Sequence, residues 1–260
     1  MQPQTFDGYA QTYDEHFTHS LIGIAQRTQV YNQLLKSISF NQKSVLEINC
    51  GTGEDASWLV KQGANVLATD ISEGMIDVAR NKPTNNSINF KALAAQDISS
   101  LAPNTYNIIF SNFGGLNCLN LNEIQKFRND CTQLQYKSDQ LAFVIMSTKC
   151  WWERVYFSLK NEKPKSIRRQ NNDGVETNIN DIHFKTYYYS PSNLKELFKE
   201  NYNCINVKPI GLFIPPSYLE PYIEKRNRLF GVLKLLDKLC ARFSVFSNYA
   251  DHYLIVFEKK

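Results

Sequence analysis

Val45-Leu46-Glu47-Ile48-Asn49-Cys50-Gly51-Thr52-Gly53-Glu54-Asp55-Ala56 is the stretch whose reading decides the fold. Val45, Leu46 and Ile48 form a short apolar run, the pattern of a buried strand. Gly51 and Gly53 then allow a tight turn that no side chain obstructs. Glu54 onward reads as a helix with acidic residues in its first turn, where the helix dipole favours negative charge. Strand, glycine turn and helix together open a nucleotide-binding α/β domain.

The pattern extends in both directions. Downstream, the helix ends at Gly63 and Val66–Thr69 makes a second strand closing at Asp70. Ser72 caps a helix over Glu73–Arg80. Ile88–Leu93 is a third strand followed by Gln96-Asp97-Ile98, and Tyr106–Ser111 a fourth followed by Asn112-Phe113-Gly114-Gly115. A helix over 122–136 leads to a fifth strand, Leu141–Met146. Such alternation predicts a parallel sheet covered by helices on both faces. Upstream, Leu21, Ile24, Ala25, Tyr31, Leu34, Leu35 and Ile38 fall at helical spacing, with Arg27 and Lys36 away from the stripe. Residues 6–19 mix aromatic and polar groups and read as a cover segment.

After Met146 the pattern changes. Lys149–Lys160 reads as a helix. Asp173-Gly174 signals a hairpin turn between Ile167–Gln170 and Val175–Asn178, and His183–Tyr189 as a further strand. Ser190 caps a helix with Pro191 in its first turn. Cys204–Ile210 is a strand, 218–242 is helical after Pro215-Pro216, and Tyr249–Glu258 is the last strand. The expected division is a helical cover over 1–40, a nucleotide-binding core over 41–148, an insert over 149–190, and a C-terminal part of the core over 191–260 that carries a helical lid at 211–248.

The bulk numbers agree with an ordinary globular chain. Of 260 residues, 43% are hydrophobic and 21% charged, far from the composition of disordered chains. A net charge of +4 neither demands nor excludes a nucleic-acid partner. The six cysteines are scattered with no C-x-x-C; no metal site follows, and reduced thiols in a cytoplasmic setting are the simplest expectation. Met1–Thr5 lacks the features of a secretory signal, and no apolar run approaches the ~20 residues of a membrane span. Aromatics, at 13%, suit either a well-filled core or an apolar substrate pocket.

Ligands of parallel α/β sheets bind beyond the carboxyl ends of the strands. Glu47 with the glycine turn, Asp70, Asp97 and Asn112 all fall there, on successive strands. Singly each is weak, because an aspartate after a strand is usually a turn or cap residue; their joint placement carries the argument. Gly51-Thr52-Gly53-Glu54-Asp55-Ala56 also satisfies the dinucleotide pattern G-x-G-x-x-A, with Asp70 at about the expected 20 residues beyond. A pyrophosphate would sit at this helix N-terminus, where Glu54, Asp55 and nearby Glu47 would repel it. A zwitterionic amino acid joined to a nucleoside suits the turn better.

At this point the chain resembles the class I S-adenosylmethionine-dependent methyltransferases. The matching motifs are Leu46–Gly53, Thr69-Asp70-Ile71-Ser72-Glu73-Gly74-Met75, Ala95-Gln96-Asp97-Ile98 and Ile108-Ile109-Phe110-Ser111-Asn112-Phe113. The resemblance implies S-adenosylmethionine as cofactor and no metal. It implies a doubly wound Rossmann-like sheet, mostly parallel, with an antiparallel last strand and a small antiparallel insert or lid. By it, Gly51 and Gly53 approach the methionine part, Asp70 receives the ribose hydroxyls, Ile71 and Met75 flank the adenine, and Asp97 with Ile98 meets the adenine amino group. Asn112 and Phe113 border the methyl-transfer region, and Tyr13 and Arg27 reach the cofactor from the N-terminal segment. Asn49 departs from the pattern, where glycine is common; its amide could hold the amino-acid part.

Methyl transfer mainly requires alignment of donor and acceptor, and a base only where the acceptor must lose a proton. An antiparallel last strand would begin at the catalytic edge, which makes His252 the first candidate base, ahead of His183 and His16. Trp151, Trp152, Tyr156, Tyr187 and Phe213 are candidate liners of an acceptor pocket. Lys225, Arg226, Arg228, Lys234, Lys238 and Arg242 decorate an apolar helical stretch within 218–242, which reads as a solvated lid helix or as one that touches a membrane surface or a lipid-like acceptor. The expected activity is transfer of a methyl group to O, N or C of a small, apolar or aromatic metabolite. The rivals are an NAD(P)-dependent oxidoreductase and a non-catalytic cofactor-binding protein.

Overall fold

The computed structural model describes residues 6–83, 87–179 and 182–260. Its strands are β1 (Ser44–Ile48), β2 (Asn65–Asp70), β3 (Asn89–Ala92), β4 (Ile108–Ser111), β5 (Gln140–Met146), β6 (Val175–Ile179), β7 (Ile182–Thr186), β8 (Tyr202–Ile210) and β9 (His252–Lys259). Seven of them form one sheet in the order β3-β2-β1-β4-β5-β9-β8. β1 to β5 are parallel, whereas β9 runs antiparallel to both β5 and β8. Ile48 is level with Thr69 of β2 and with Ser111 of β4. The chain segments leaving β1, β2 and β4 therefore emerge side by side, at the point where strand order reverses and ligands of such sheets bind.

The helices are α1 (Ala10–Tyr13), α2 (Leu21–Leu34), α3 (Glu54–Lys61), α4 (Glu73–Asn81), α5 (Leu121–Leu134), α6 (Trp151–Leu159), α7 (Lys163–Ser166), α8 (Pro191–Phe198), α9 (Glu220–Ile223) and α10 (Asn227–Cys240). Alternate residues of the strands feed two apolar cores, one per face. Leu46, Ile109, Phe127, Phe143, Phe198 and Tyr253 pack on one side, and Val45, Leu59, Val66, Phe110, Val144 and Val256 on the other. Local signals start the helices as expected. Ser72 accepts the Met75 N–H, and Asn120 with Glu123 forms a capping box on α5. Among the described residues, no helix is long and apolar enough to cross a membrane.

Two expectations need correction. The hairpin of the insert is β6 paired with β7, with Asn178 opposite His183; its turn lies outside the described residues. Residues 168–170 are not a strand but a 3-10 turn, because Arg168 and Arg169 are drawn into ion pairs with Glu153 and Asp251. The strand expected over 183–189 stops at Thr186. There the Asn117 carbonyl takes the Tyr187 N–H at 2.7 Å, and the Tyr189 hydroxyl donates to the Leu119 carbonyl. The second correction concerns α2. Only part of its apolar stripe faces the core: Leu34 and Ile38 are buried and Tyr31 packs beside them, but Leu21, Ile24 and Leu35 are exposed, while Gln26, Arg27, Gln29 and Gln33 are buried. Each of three of those polar groups has a partner across the interface: Gln26 donates to Asp251 and to the Pro215 carbonyl, Arg27 to Asp55, and Gln29 bridges the Pro209 carbonyl and the Gly211 N–H.

Candidate functional site

A cavity of about 510 Å³ opens at the carboxyl edge of the sheet, within the range of pockets that enclose a cofactor-sized ligand (~300–1,000 Å³). It is lined at one end by Asn49, Gly51, Asp70, Ile71 and Met75, in the middle by Asn112 and Phe113, and at the other end by Glu153, Arg168, Arg169, Asp251 and His252. The segment before α2 covers it, with Tyr9, Tyr13, His16 and Phe17 facing in.

The first end is built on two bent backbones. Asn49 and Gly51 have positive φ, 59° and 51°, which carries the chain away from β1 in the left-handed region. Glycine enters that region freely and asparagine more readily than most residues. The Asn49 side chain packs on Gly115, where an added Cβ would lie 2.4 Å from Nδ2. Asp70, at the end of β2, accepts the Gly51 N–H at 2.9 Å and the Ser72 N–H at 3.0 Å. Burial pushes its carboxyl above the ordinary value, against the opposing pull of those N–H groups. One residue therefore ties the glycine turn to the α4 cap while its carboxylate lines the cavity.

Beneath the turn lies a buried polar hub that the sequence did not reveal. Asp55 accepts from Arg27 Nε at 3.0 Å, from the Tyr31 hydroxyl at 2.6 Å and from Asn112 Nδ2 at 3.1 Å. Its charge is thus balanced by Arg27, so Asp55 does not repel an anion at the turn as the sequence alone suggested. Arg27 also lies over the Phe113 ring, 5.1 Å from its centre, and its Nη1 is buried with no partner. Glu47, fully buried in β1, likewise leaves Oε2 without a partner. Burial raises its pKa well above that of a free carboxyl; Asp55 adds to the rise and Arg27 opposes it.

The N-terminal cover is clamped by two aspartates. Asp7 accepts from the Ser72 hydroxyl and, at 3.0 Å, from the Gly74 N–H at the start of α4. Asp14 accepts from the Thr52 hydroxyl and pairs with Lys82, both at 2.5 Å. Neither carried a sequence signal, because each partner lies far away in the chain.

At the other end, β9 begins level with the carboxyl end of β5, His252 pairing with Met146. His252 is largely buried, its ring edge-on to Phe113 at 5.5 Å between centres. Its Nδ1 is 3.2 Å from Asp251 Oδ2, without the alignment of a hydrogen bond. Asp251 in turn pairs with Arg169 at 2.7 Å. Burial alone would raise the Asp251 carboxyl; His252 and Arg169 bring it well below the usual carboxylate range. Glu153 of α6 closes the network by accepting from both Arg168 (2.7 Å) and Arg169 (3.0 Å). Arg169 further lies over the Tyr188 ring at 5.2 Å.

The remaining expected residues are placed elsewhere. Ile98 is in the core and Asp97 is exposed, while their neighbours Ala95 and Gln96 line the cavity. Gly53 precedes α3 in the left-handed region, away from the lining. His16 lines the cavity but its Nδ1 is taken by the Thr12 carbonyl at 2.9 Å, and His183 is exposed on β7. Among the described residues, Trp151, Trp152, Tyr156, Tyr187 and Phe213 do not line the cavity; Phe184, Tyr188 and Tyr218 do. Trp151 instead donates to the Leu212 carbonyl and stacks edge-on with Phe213, bracing the insert against the segment after β8.

Comparison with known proteins agrees with this geometry. A family profile described as a methyltransferase domain matches residues 45–137. Malonyl-[acyl-carrier protein] O-methyltransferase of Priestia megaterium is 35% identical over 111 residues, which span 41% of this chain and 38% of that protein. The match thus covers well under half of the relative's length. Among solved structures, an S-adenosylmethionine-dependent methyltransferase from Mesorhizobium loti superposes with a TM-score of 0.57 at 11% identity, over 91% of this chain and 98% of that one. Magnesium protoporphyrin IX methyltransferase from Synechocystis PCC 6803, with bound S-adenosylhomocysteine, gives 0.58 at 13% identity, over 92% and 85%. At such identities the likeness is one of fold. Residues 45–137 thus match a methyltransferase-domain profile, and the chain has the fold of the class I S-adenosylmethionine-dependent methyltransferases.

Proposed function

We propose that this chain binds S-adenosylmethionine and transfers its methyl group to O, N or C of a small, partly apolar metabolite. The observation that carries the reading is Asp70: a half-buried carboxylate that lines the cavity while its oxygens fix the Gly51 turn. The residues present fit the cofactor. Gly51 and Asn49 leave an open backbone for the amino-acid part. The unpartnered Nη1 of Arg27 suits its carboxylate, and Ile71 and Met75 suit the adenine. Tyr13 covers the turn, and Asn112 and Phe113 border the transfer region. When bound, the cofactor supplies an activated methyl on a positive sulfur.

What the chain itself does is position and shield. The clamped cover over 6–19 and the segment after β8 exclude water from the cavity, and Phe113 sets a wall between its two ends. His252, held beside Asp251, is the base for an acceptor that must shed a proton. The insert over 149–190 forms the acceptor end through Glu153, Arg168, Arg169, Phe184 and Tyr188, the expected 1–40 cover lies over the cofactor end from residue 6 onward, and 211–248 form a lid. The six cysteines are unpaired, in keeping with a reducing, cytoplasmic compartment.

Calorimetry tests the cofactor. S-Adenosylmethionine and S-adenosylhomocysteine should bind and NAD(P) should not; the reverse would make the chain an oxidoreductase. Binding without turnover on any acceptor would make it a non-catalytic cofactor binder.

A further inference from the structure

α10 is apolar on the wrong side. Its inward ridge is Phe230, Asp237 and Ala241, all buried, with Leu233 partly buried between them, spaced for one helix face. Asp237 lies beneath the helix and accepts the Phe213 N–H at 2.6 Å and the Ile214 N–H at 3.4 Å, so its charge is turned inward. The opposite ridge runs Arg228, Val232, Leu235, Leu239 and Arg242. Val232, Leu235 and Leu239 are 54%, 58% and 49% exposed. Leu229 and Leu236 widen the patch on one flank, and beyond the helix Phe243 and Val245 extend it at 47% and 71% exposure. A contiguous apolar face of this kind marks an interaction surface.

The charges around it choose the partner. Between Lys225 and Ala250 the sequence holds one acid, the inward-facing Asp237, against Lys225, Arg226, Arg228, Lys234, Lys238 and Arg242. Lys234 and Lys238 flank the face on the side of the groove toward α2, Lys234 with its Nζ 5.1 Å over the Phe230 ring, and Arg228 and Arg242 stand at its two ends. Among the described residues, no carboxylate pairs with any of these four. A second copy of the chain docked on this face would bring like charges together. An anionic lipid surface would instead receive the leucines between its acyl chains and the cations among its headgroups.

We propose that α10 and the turn after it dock this protein on an anionic membrane surface, the helix lying in the plane of the interface with Val232, Leu235 and Leu239 inserted. The argument is independent of the methyl-transfer reading. Its bearing on the site comes from connectivity: Pro216, Ser217 and Tyr218 line the cavity and the same segment continues through α9 into α10, so the docked face and the cavity rim belong to one stretch of chain.

Flotation with phosphatidylcholine vesicles, with and without phosphatidylserine, tests this on the full chain. Binding is expected only with phosphatidylserine, and it should weaken as salt rises. Leu235→Glu with Leu239→Glu should abolish it while leaving the thermal midpoint unchanged, since both side chains face outward. Lys234→Ala with Lys238→Ala should weaken partition about 25-fold, taking ~1 kcal/mol for each basic residue near the surface. The proposal is overturned if anionic vesicles are not bound, or if the leucine pair binds them like the parent. It is equally overturned if sedimentation shows a dimer that the leucine substitutions split, because a second copy then covers the face.

Discussion

Asn49 is the position at which residue and family pattern disagree, and the backbone explains it. A φ of 59° asks for glycine, and asparagine is the residue that replaces it at least cost. Asn49→Ala should therefore lower stability by about 1 kcal/mol in urea titrations, whereas Asn49→Gly should be close to neutral. Asp70 is less forgiving. It holds two backbone N–H groups as well as facing the cavity, so Asp70→Ala should weaken S-adenosylhomocysteine binding by about 10- to 100-fold, from ~1.5–3 kcal/mol for a hydrogen bond to a charged group; calorimetry with unchanged affinity would remove the cofactor assignment. For His252→Ala, the limb of the pH–rate profile that rises with pH should disappear for an acceptor that must lose a proton. A profile identical to the parent's would mean that this histidine is not the base.

At the scale of elements, the insert is held to the core by a buried charge network as well as by apolar packing through Tyr189 and Trp151. Glu153, Arg169 and Asp251 are all buried, and each is neutralised by the others. Arg169→Ala leaves the buried Asp251 carboxylate without its arginine, while Glu153 keeps Arg168, and should cost about 3–5 kcal/mol in chemical denaturation. The same network fixes a pH dependence. Asp251 and Glu153 both sit below their ordinary values in the folded chain. Their contribution is therefore complete above the unfolded carboxylate range of about 4 and is lost as pH falls through the folded values. The parent should lose stability on acidification below about pH 4, and Arg169→Ala should lose less, because the depression that generates the slope is gone. This network also explains why the hairpin was misplaced from the sequence. Asp173-Gly174 is a genuine turn, but Arg168 and Arg169 before it are claimed by partners 15 and 82 residues away, which no local pattern records.

For the whole molecule, the legible part of the sequence was the part governed by local rules. Apolar runs of strand length, caps such as Ser72 and the glycine turn gave the α/β core, and with it the places of Asn49, Asp70 and Asn112. What stayed hidden was set by pairing at a distance. The clamps of Asp7 and Asp14 reach across 67 and 38 residues. Asp55 reads as a free charge from the sequence, but Arg27, 28 residues earlier, pairs with it. In α2 the apolar stripe reaches the core only through its second half, at Leu34 and Ile38, because Gln26, Arg27 and Gln29 take the inward positions of the first half through buried partners.

The sheet order has one more consequence. β9 is the last strand in sequence, yet it lies between β5 and β8 and contributes an inner row of hydrogen bonds to both. Until residue 259 has left the ribosome, a nascent chain carries β5 and β8 as two open, apolar edges with nothing to join them. Deleting 252–259 should accordingly give a chain that collects in the insoluble fraction on expression, even though every residue of the cofactor end of the cavity is retained. Joining of β5 to β8 in the native sheet therefore waits for the residues that follow Ala250.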